Sequence, residues 1–208
     1  MSTLATLRTE LAEAIRDPSN LTFGTDALNS LLNQGLAKLS RFHPREAVDT
    51  SVTLTVAVNS YTTSVSFTNI YRVDRYNAAG TYQETLVANT GDGPNSGWEW
   101  HNSVLYLTPY RTWTTGDTLH IFGYAGYAAM TTDDDEPPID IAGEWALITF
   151  GQMEAYGRLA HDRAAFQQWQ ANPGNTDVTE LTLGSMYRIA QDRWEEEKRD
   201  LRRMRKVG

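Results

Sequence analysis

Residues 140–169 read DIAGEWALITFGQMEAYGRLAHDRAAFQQW, a long helical pattern that is apolar on more than one side. One side carries Trp145, Ile148, Tyr156 and Leu159, another carries Leu147, Phe150 and Met153, and small residues lie between them. A helix that is apolar all round is usually buried all round, so we predict one long helix packed against other elements. Two sources of cover stay open: the rest of the chain, or neighbouring copies of it.

Apolar residues at helical spacing predict two more helices before this stretch. The first ends at Asp17-Pro18. The second begins near Thr25, whose hydroxyl can cap it, carries a broad stripe of leucines, and ends at His43-Pro44. These two helices cannot hide both apolar stripes from water by themselves, so they need a further packing partner.

A last helix follows the break at Asn172-Pro173-Gly174. It starts near Thr176 or Asp177, with Glu180 as the capping-box partner of Asp177. With a rise of 1.5 Å per residue, this helix would be about 45 Å long. That is longer than a domain of this size can cover, which indicates a partner.

Between the helices, the apolar period changes from 3.6 to 2, which is typical of strands. The predicted strands are residues 52–58, 65–67, 70–76, 81–87, 98–100, 104–107 and 118–124. Asn77–Gly80 predicts a hairpin turn. Six or seven short antiparallel strands predict a small sandwich or barrel-like module.

The predicted fold class is therefore α+β. A helical domain, made of two N-terminal helices and two long C-terminal helices, is interrupted by the inserted antiparallel β sandwich or barrel-like module. The predicted divisions are residues 1–48, 49–130 and 131–208, and the acidic, proline-containing stretch TTDDDEPP at Thr131–Pro138 is the clearest boundary.

Composition indicates an ordinary globular protein. The 208 residues are 40% hydrophobic and 21% charged, and the chain has no cysteine, which suits a reducing compartment. We expect no membrane span and no signal peptide, because neither a long apolar run nor a basic, apolar leader is present. We therefore expect a soluble, cytoplasmic protein.

Charge is unevenly distributed along the chain. Six basic residues and one acid between Lys198 and Lys206 give this segment a net charge of +5, which leaves −13 for the rest of a chain whose total is −8. A body this acidic repels phosphates at long range, which argues against a DNA-binding module. Because the basic tail exceeds what a helix end requires, we expect it to dock on a partner.

Motifs that carry chemistry do not emerge from the sequence. The four histidines, His43, His101, His120 and His161, lack metal-site spacing, and the acidic run Asp133–Glu136 lacks the pattern of a calcium loop. Gly91, Gly93 and Gly97 fit no phosphate-binding motif. We expect no catalytic site, no metal and no cofactor. A hydrolase stays open only because Glu84, Asp92, Glu99 and Asp117 could meet in the fold.

Aromatic residues are concentrated in and beside the β zone. The group consists of Trp98, Trp100, Trp113, Tyr106 and Tyr110. Exposed, these rings would make platforms for sugars or anchors for protein contacts, and buried, they would fill the core of the β module. Both interpretations stay open.

Four segments and their order along the chain carry a resemblance to a known family. The segments are Tyr71–Tyr76, Val104–Pro109, Phe150–Tyr156 and the charged end Trp194–Lys206. Two N-terminal helices, a β module, a long helix and a basic C-terminal helix resemble the head-to-tail adaptor (head-completion or gatekeeper) proteins of tailed bacteriophages. As an order of elements, the resemblance spans nearly the whole chain.

The resemblance implies a structural protein of the virion neck, assembled in the host cytoplasm, and not an enzyme. Such adaptors form a dodecameric ring beneath the portal protein, extend the DNA channel, through which DNA passes as non-specific cargo, and present a surface to tail or nozzle proteins. Their C-terminal segments commonly grip the portal, which implies portal-docking residues here. These are Arg199, Arg202, Arg203, Arg205 and Lys206.

Two further sets of contact residues follow from this interpretation. The expected subunit interface along the helices consists of Trp145, Phe150, Met153, Tyr156, Tyr187 and Trp194. The expected tail-side contact consists of Trp98, Trp100, Tyr110 and Trp113. The alternative function is a carbohydrate- or receptor-binding virion module that uses the Trp-rich β zone.

Overall fold

The computed structural model of the protein describes residues 2–89, 97–108 and 113–207, with side chains up to residue 202. Within these residues the chain forms five helices, α1 (Leu4–Ala14), α2 (Thr25–Phe42), α3 (Ile141–His161), α4 (Arg163–Gln170) and α5 (Glu180–Val207). Seven strands are described between α2 and α3, namely β1 (Arg45–Thr53), β2 (Ser60–Thr62), β3 (Phe67–Tyr76), β4 (Tyr82–Ala88), β5 (Gly97–His101), β6 (Val104–Leu107) and β7 (Thr118–Ala125). The predicted α+β class is confirmed.

The chain divides into two compact units. The helical unit consists of Met1–His43 and Tyr127–Gly208, and the β unit consists of Pro44–Gly126. Each unit has its own apolar core, formed by leucine and aromatic side chains of α1 to α5 in one and by alternate residues of the strands in the other. Among the described residues, the helices include none with the length and apolarity that a membrane crossing requires.

Helix α3 is the centre of the helical unit, with α1, α2, α4 and α5 packed against it. Two glycines allow the closest approaches. A Cβ on Gly151 of α3 would lie 2.8 Å from a methyl carbon of Leu11 in α1, and one on Gly35 of α2 would lie 2.9 Å from a methyl carbon of Leu147 in α3. Most of the apolar surface of α3 is therefore covered from within the same unit, as the first of the two open interpretations requires.

The prediction of one helix over residues 140–169 is wrong, because the helix breaks at Asp162. This residue has an extended backbone (φ −121°, ψ 101°), and its carboxylate accepts hydrogen bonds from the N–H groups of Ala164 and Ala165. The side chain thus caps a new helix, α4, and competes with continuation of α3. After the break, Trp169 is fully buried and its Nε1 donates to the carbonyl of Ile15 at 2.7 Å.

Two predicted helix caps are also wrong. Helix α2 has Gly24 as its N-cap, without a side-chain hydrogen bond, although it begins at Thr25 as predicted. Helix α5 begins at Glu180 instead of near Asp177, and Thr179 Oγ1 accepts the N–H of Thr182 at 3.2 Å. With 28 residues, α5 is about 42 Å long.

The β unit is one curled seven-stranded sheet with the strand order β1-β7-β3-β4-β5-β6-β2. The predicted hairpin between β3 and β4 is confirmed, and Gly80 in its turn has a φ of +78°. The prediction that all strands are antiparallel is wrong at one position. Strands β4 and β5 are parallel and share two residue pairs, Val87↔Gly97 and Ala88↔Trp98.

The first predicted strand is shifted along the sequence. It was expected over residues 52–58, but β1 spans Arg45–Thr53 and pairs with β7. The alternating valines continue beyond the strand end without entering the core, and Val56 is 53% exposed. A bulge after Asp49 accompanies the shift, and the buried Asp49 carboxylate accepts the N–H groups of Ser51 and Ser64.

A buried carboxylate links two connecting segments of the helical unit, the α1–α2 loop and the α4–α5 connection. Asp17 is 0% exposed, and its carboxylate accepts the N–H groups of Leu21, Thr22 and Phe23 at 2.8–3.0 Å. It also accepts the side-chain amide of Asn172 at 2.9 Å, in the connection between α4 and α5. Asp17 therefore holds the α1–α2 loop against the connection between α4 and α5.

We predict that Asp17→Ala lowers the free energy of unfolding by about 3 kcal/mol or more, because it leaves several N–H groups without an acceptor in the interior. Urea denaturation followed by circular dichroism measures the change. Glu13→Ala is the matched control, since Glu13 is exposed on the last turn of α1, and it should change stability by less than about 0.5 kcal/mol. Equal stability of the two variants would contradict the role of Asp17.

Candidate functional site

The predicted docking tail is the C-terminal end of α5, which the helical core holds in place. Trp194 is 6% exposed and packs edge-on against Phe42 at 5.6 Å and Phe150 at 5.1 Å between ring centroids. Seven residues further, about two helical turns, Leu201 is 1% exposed. The helix is therefore anchored in the core as far as Leu201, and the basic residues lie on an element of fixed direction.

Two of the five predicted docking arginines and lysines have described side chains. Arg199 and Arg202 are both exposed. Arg199 Nε donates to the backbone carbonyl of Glu195 at 3.1 Å, and the Arg202 guanidinium lies 5.5 Å from the ring centre of Phe42. The side chains of Arg203, Arg205 and Lys206 lie outside the described residues. Both described guanidinium groups keep donor capacity for a partner, because each makes only one such contact within the described part of the chain.

Acidic residues precede the basic end on the same helix. Lys198 forms an ion pair with Glu195. Burial raises the pKa of Glu197 above its ordinary value, and the negative charges of Asp200 and Glu196 add to this effect. Negative charges at Glu196, Glu197 and Asp200 therefore lie close together on α5, and a positively charged neighbour is favoured there.

The residues predicted for the subunit interface fall into three groups. Phe150, Tyr156 and Trp194 are at most 6% exposed and belong to the core of their own unit. Met153 and Tyr187 are half-buried against the same core. Trp145 differs from all of them, since it is 62% exposed near the start of α3.

Trp145 has an apolar neighbour on the helix surface. Ile141 lies one turn before it and is 73% exposed. Residues four apart lie on the same side of a helix, so the two side chains form one exposed apolar patch, the α3 patch (Ile141 and Trp145). Such a patch is a typical feature of a contact surface.

The tryptophans predicted for the tail-side contact lie mainly in the β core. Trp113 is 1% exposed and Trp98 is 6% exposed, with its Nε1 donating to the carbonyl of Leu86 at 3.1 Å. Trp100 is half-buried and packs edge-on against Phe67. Tyr110 lies outside the described residues. The burial of Trp98 and Trp113 favours the core-filling interpretation, because neither residue has a ring face open for stacking on a sugar.

A different set of aromatic residues, which the sequence interpretation missed, covers the outer face of β3 and β7. Rings on the two strands contact each other across the sheet: Tyr71 and Tyr124 lie 5.3 Å apart, Tyr76 stacks on His120 at 3.9 Å, and the Arg72 guanidinium lies 5.1 Å above Phe122. We call these six residues the tyrosine face. Tyrosine and arginine are enriched at protein interfaces. The alternation along residues 118–125 was the pattern that could have revealed it, because every second residue faces outward.

A carboxylate stiffens the tyrosine face from below. Asp74 has a fully buried side chain, pairs with Arg72 at 2.6 Å and accepts the hydroxyl of Thr85 at 2.6 Å. Burial tends to raise the pKa of Asp74, but hydrogen bonds from Arg72 and Thr85 outweigh it, so the pKa lies below its ordinary value. The pair fixes Arg72 over Phe122.

The described part of the chain contains no cluster of three or more His, Asp or Glu side chains that could hold a metal ion. His43 lies within hydrogen-bonding distance of the Tyr127 hydroxyl, His161 of the carbonyl of Gly157, and His120 stacks on Tyr76. These side chains therefore have local structural roles.

The acidic stretch forms an ordered loop at the start of α1. Asp133 pairs with Arg8 at 2.7 Å, and the backbone carbonyl of Asp135 accepts the N–H of Leu4 at 2.9 Å. The N–H groups of Thr132 and Thr131 donate to the Asp135 carboxylate and lower its pKa to about 2. Two of the four acids are thus used to build the loop.

Comparison with known proteins relates almost the whole chain to one family. The family model described as SU10 adaptor protein matches residues 2–199, which include both units and most of α5. A comparison with curated proteins finds no match.

We predict that Asp135→Ala lowers the melting temperature at pH 7, because the carboxylate that closes the acidic loop is lost. The pKa of this group is about 2 in the folded chain against an ordinary value of 3.8. Its stabilisation is therefore present above about pH 4 and disappears as the pH falls towards 2.

Differential scanning calorimetry between pH 7 and pH 2 should show the difference from the unmodified chain shrinking over that window. Asp134→Ala, one residue away and exposed, is the control and should match the unmodified chain throughout. A difference that persists at pH 2 would show that the charge is not the cause.

Proposed function

Because the chain belongs to the SU10 adaptor protein family of phage head-to-tail adaptors, we propose that it forms a ring in the neck of the virion. The family relationship makes it a structural component of a phage that works with head and tail components. In the proposed function, a ring of twelve copies assembles in the host cytoplasm, docks on the portal, extends the DNA channel and offers an attachment surface to the tail. The role is structural and not catalytic.

The observation that carries the proposal is the anchored basic end of α5. Six basic residues follow Glu197, and the packing of Trp194 and Leu201 in the core fixes where they begin. A rigid helix presents charges to a partner at little cost in conformational entropy. The proposed partner is an acidic groove of the portal, which Arg199 and Arg202 contact together with Arg203, Arg205 and Lys206.

The α3 patch supports the proposed contact between copies. Of the six residues expected at the subunit interface, Trp145 has the exposure that such a contact needs, and Ile141 extends it. Phe150, Tyr156 and Trp194 support the interface from inside the unit by fixing α3 and α5. The acidic remainder of the ring would repel the DNA backbone, which suits a channel through which DNA moves.

The tyrosine face supports a role of the β unit in tail attachment. We place the tail-side contact on Tyr71, which is 48% exposed, and on the partly exposed rings beside it instead of on Trp98 and Trp113, because buried rings cannot reach a partner. The division into residues 1–48, 49–130 and 131–208 stays a prediction about separately acting domains, with the middle one facing the tail.

We predict that Arg199→Glu combined with Arg202→Glu weakens binding to the portal ring of the same phage at least roughly tenfold, since charge reversal replaces attraction by repulsion. Native mass spectrometry of the mixed proteins counts the copies bound. Loss of the contact between Arg202 and Phe42 should cost only about 0.5–1 kcal/mol of stability.

Arg188→Glu is the matched control for the docking test. It reverses a charge on the same helix, outside the basic end and exposed, and it should leave portal binding unchanged. Full binding by the double variant, with an unchanged circular dichroism spectrum, would remove the tail from the proposed function.

We further predict that Trp145→Ser weakens association between copies without lowering the melting temperature, because the ring is exposed in the single chain. Sedimentation velocity over a concentration series measures the association. Leu181→Ser is the control, since Leu181 is 84% exposed at the first turn of α5, away from the α3 patch. Unchanged association of the Trp145 variant would exclude the α3 patch as a contact.

A further inference from the structure

A cleft of about 170 Å³ lies between the end of α1 and the adjoining sides of α3 and α5. We call it the arginine cleft, and the residues that define it are Arg16, Gln152, Tyr156, Ile189 and Arg193. The volume has room for carboxylate groups at its mouth and a few water molecules, since a water occupies about 30 Å³. Ile189 forms an apolar lip and is 54% exposed.

The floor of the cleft is rigid and its hydrogen bonds are complete. Tyr156 is 2% exposed, its hydroxyl donates to the carbonyl of Ala14 at 3.2 Å, and Gln152 Nε2 donates to the same carbonyl at 2.9 Å. Gln152 Nε2 also contacts the Tyr156 hydroxyl at 3.3 Å. The hydrogen-bonding groups of Gln152, Tyr156 and Ala14 are therefore paired with one another and do not bind the two arginine side chains.

The two guanidinium groups are therefore left for a ligand. Arg16 and Arg193 are exposed, and within the described residues neither side chain has an ion pair or a hydrogen bond. Burial raises the pKa of Tyr156, while the charges of Arg16 and Arg193 act in the opposite direction, as expected of two cations beside its ring. Two unpaired cations at one small cleft favour an anion.

Arg16 occupies a backbone position that usually belongs to glycine. Its φ is +57°, and it follows the C-cap Ile15 of α1. Arg16 N–H donates to Glu13 and Asp17 N–H donates to Ala12, which is the Schellman pattern with its left-handed residue. The backbone conformation alone favours glycine there, so the presence of an arginine indicates a role for its side chain. Strained backbone positions of this kind cluster at binding sites.

We propose that the arginine cleft binds carboxylates of the acidic loop Thr131–Pro138 of a neighbouring copy of this chain. The inference rests on the proposed function, because it takes association of copies as given and names the contact that joins them. Its basis is charge complementarity between two surfaces of the unit. Arg16 and Arg193 lie together at the cleft, and acids without a partner among the described residues lie on the loop.

The acidic loop has the properties of such a ligand. Asp133 and Asp135 are used to fix its backbone, whereas Asp134 and Glu136 are exposed and make no side-chain hydrogen bond or ion pair within the described residues. A loop held by hydrogen bonds to α1 loses little entropy on binding. Two acids on a rigid loop match two arginines at a cleft.

The negative net charge of the chain explains why association of copies requires an attractive contact of this kind. The chain has a net charge of −8, so two copies repel each other at long range. Contacts of opposite charge between different patches overcome the repulsion and set the orientation. Because the cleft and the loop are different surfaces, the contact is head-to-tail, which is the kind that closes into a ring.

The position of the cleft on α3 agrees with the proposed subunit contact. Gln152 lies seven residues after Trp145, which is two helical turns along the same side of α3. The arginine cleft therefore lies on the same side of α3 as the α3 patch, with the buried Ile148 and Thr149 between them. An apolar contact at Trp145 and a charged contact at Arg193 would form one interface.

A charge exchange between two variants tests the proposal. One variant carries Arg16→Glu and Arg193→Glu, the other carries Asp134→Lys and Glu136→Lys. Each variant alone would place like charges at the contact and should associate at least roughly tenfold more weakly than the unmodified chain. An equimolar mixture restores opposite charges at every contact and should associate as the unmodified chain does, with both variants in each assembly.

Native mass spectrometry distinguishes the outcomes because the two variants differ in mass. A mixture that fails to associate would overturn the assignment and indicate another anion, such as an acidic segment of the portal. An unmodified chain that stays monomeric up to about 100 μM would overturn it as well. Portal binding is measured separately on the same samples, so its loss would count against the proposed function and not against the cleft.

Arg16→Gly separates the binding role from a structural one. Glycine suits the left-handed position, so the melting temperature should stay the same or rise. Association should nevertheless weaken, because one cation of the cleft is lost. An association equal to that of the unmodified chain would exclude Arg16 from the contact.

Discussion

The distance between α3 and its two N-terminal neighbours governs the helical unit, and glycine sets that distance. At Gly151 and Gly35 the space that a Cβ would take is filled by Leu11 and Leu147. The close approach buries α3 on those sides without help from another chain and brings Phe42 and Phe150 near enough to hold Trp194 between them. The direction of the basic tail therefore depends on the close backbone packing of α2 and α3, the two helices whose rings hold Trp194.

Local periodicity was sufficient to predict most elements and insufficient to place their ends. The stripe of leucines in α2 and the turn at Asn77–Gly80 depend on neighbours a few residues away, so both could be predicted. The break at Asp162 could not, because an aspartate interrupts a helix only when its side chain turns back to the N–H groups that follow. The start of α5 at Glu180 likewise depends on the turn that Asn172 and Asn175 form with Trp169.

The proposed contact surfaces could be predicted from the sequence only where charge or composition marks them by itself. The basic end of α5 is visible as a charge run, whereas an aromatic residue in a helix has the same appearance whether it faces its own core or another chain. Phe150 and Trp145 illustrate this, since they are five residues apart and have opposite environments. The arginine cleft depends on residues from three helices, so no spacing along the sequence could indicate it.

The parallel pair β4–β5 has a mechanical consequence for the β unit. Antiparallel ladders join β1, β7, β3 and β4 on one side and β5, β6 and β2 on the other, whereas the parallel seam between the two halves has two residue pairs, at Val87 and Ala88. Among the described residues, hydrogen bonds from the N–H of Asn89 to the carbonyl of Trp98 and from Trp98 Nε1 to the carbonyl of Leu86 also cross this seam. Additional bonds between Thr108 and Gly97 stiffen the second half and not the seam. Under a pulling or shearing load we expect this short seam to yield before the longer antiparallel ladder of β3 and β7, so that the half with the tyrosine face would move as one piece.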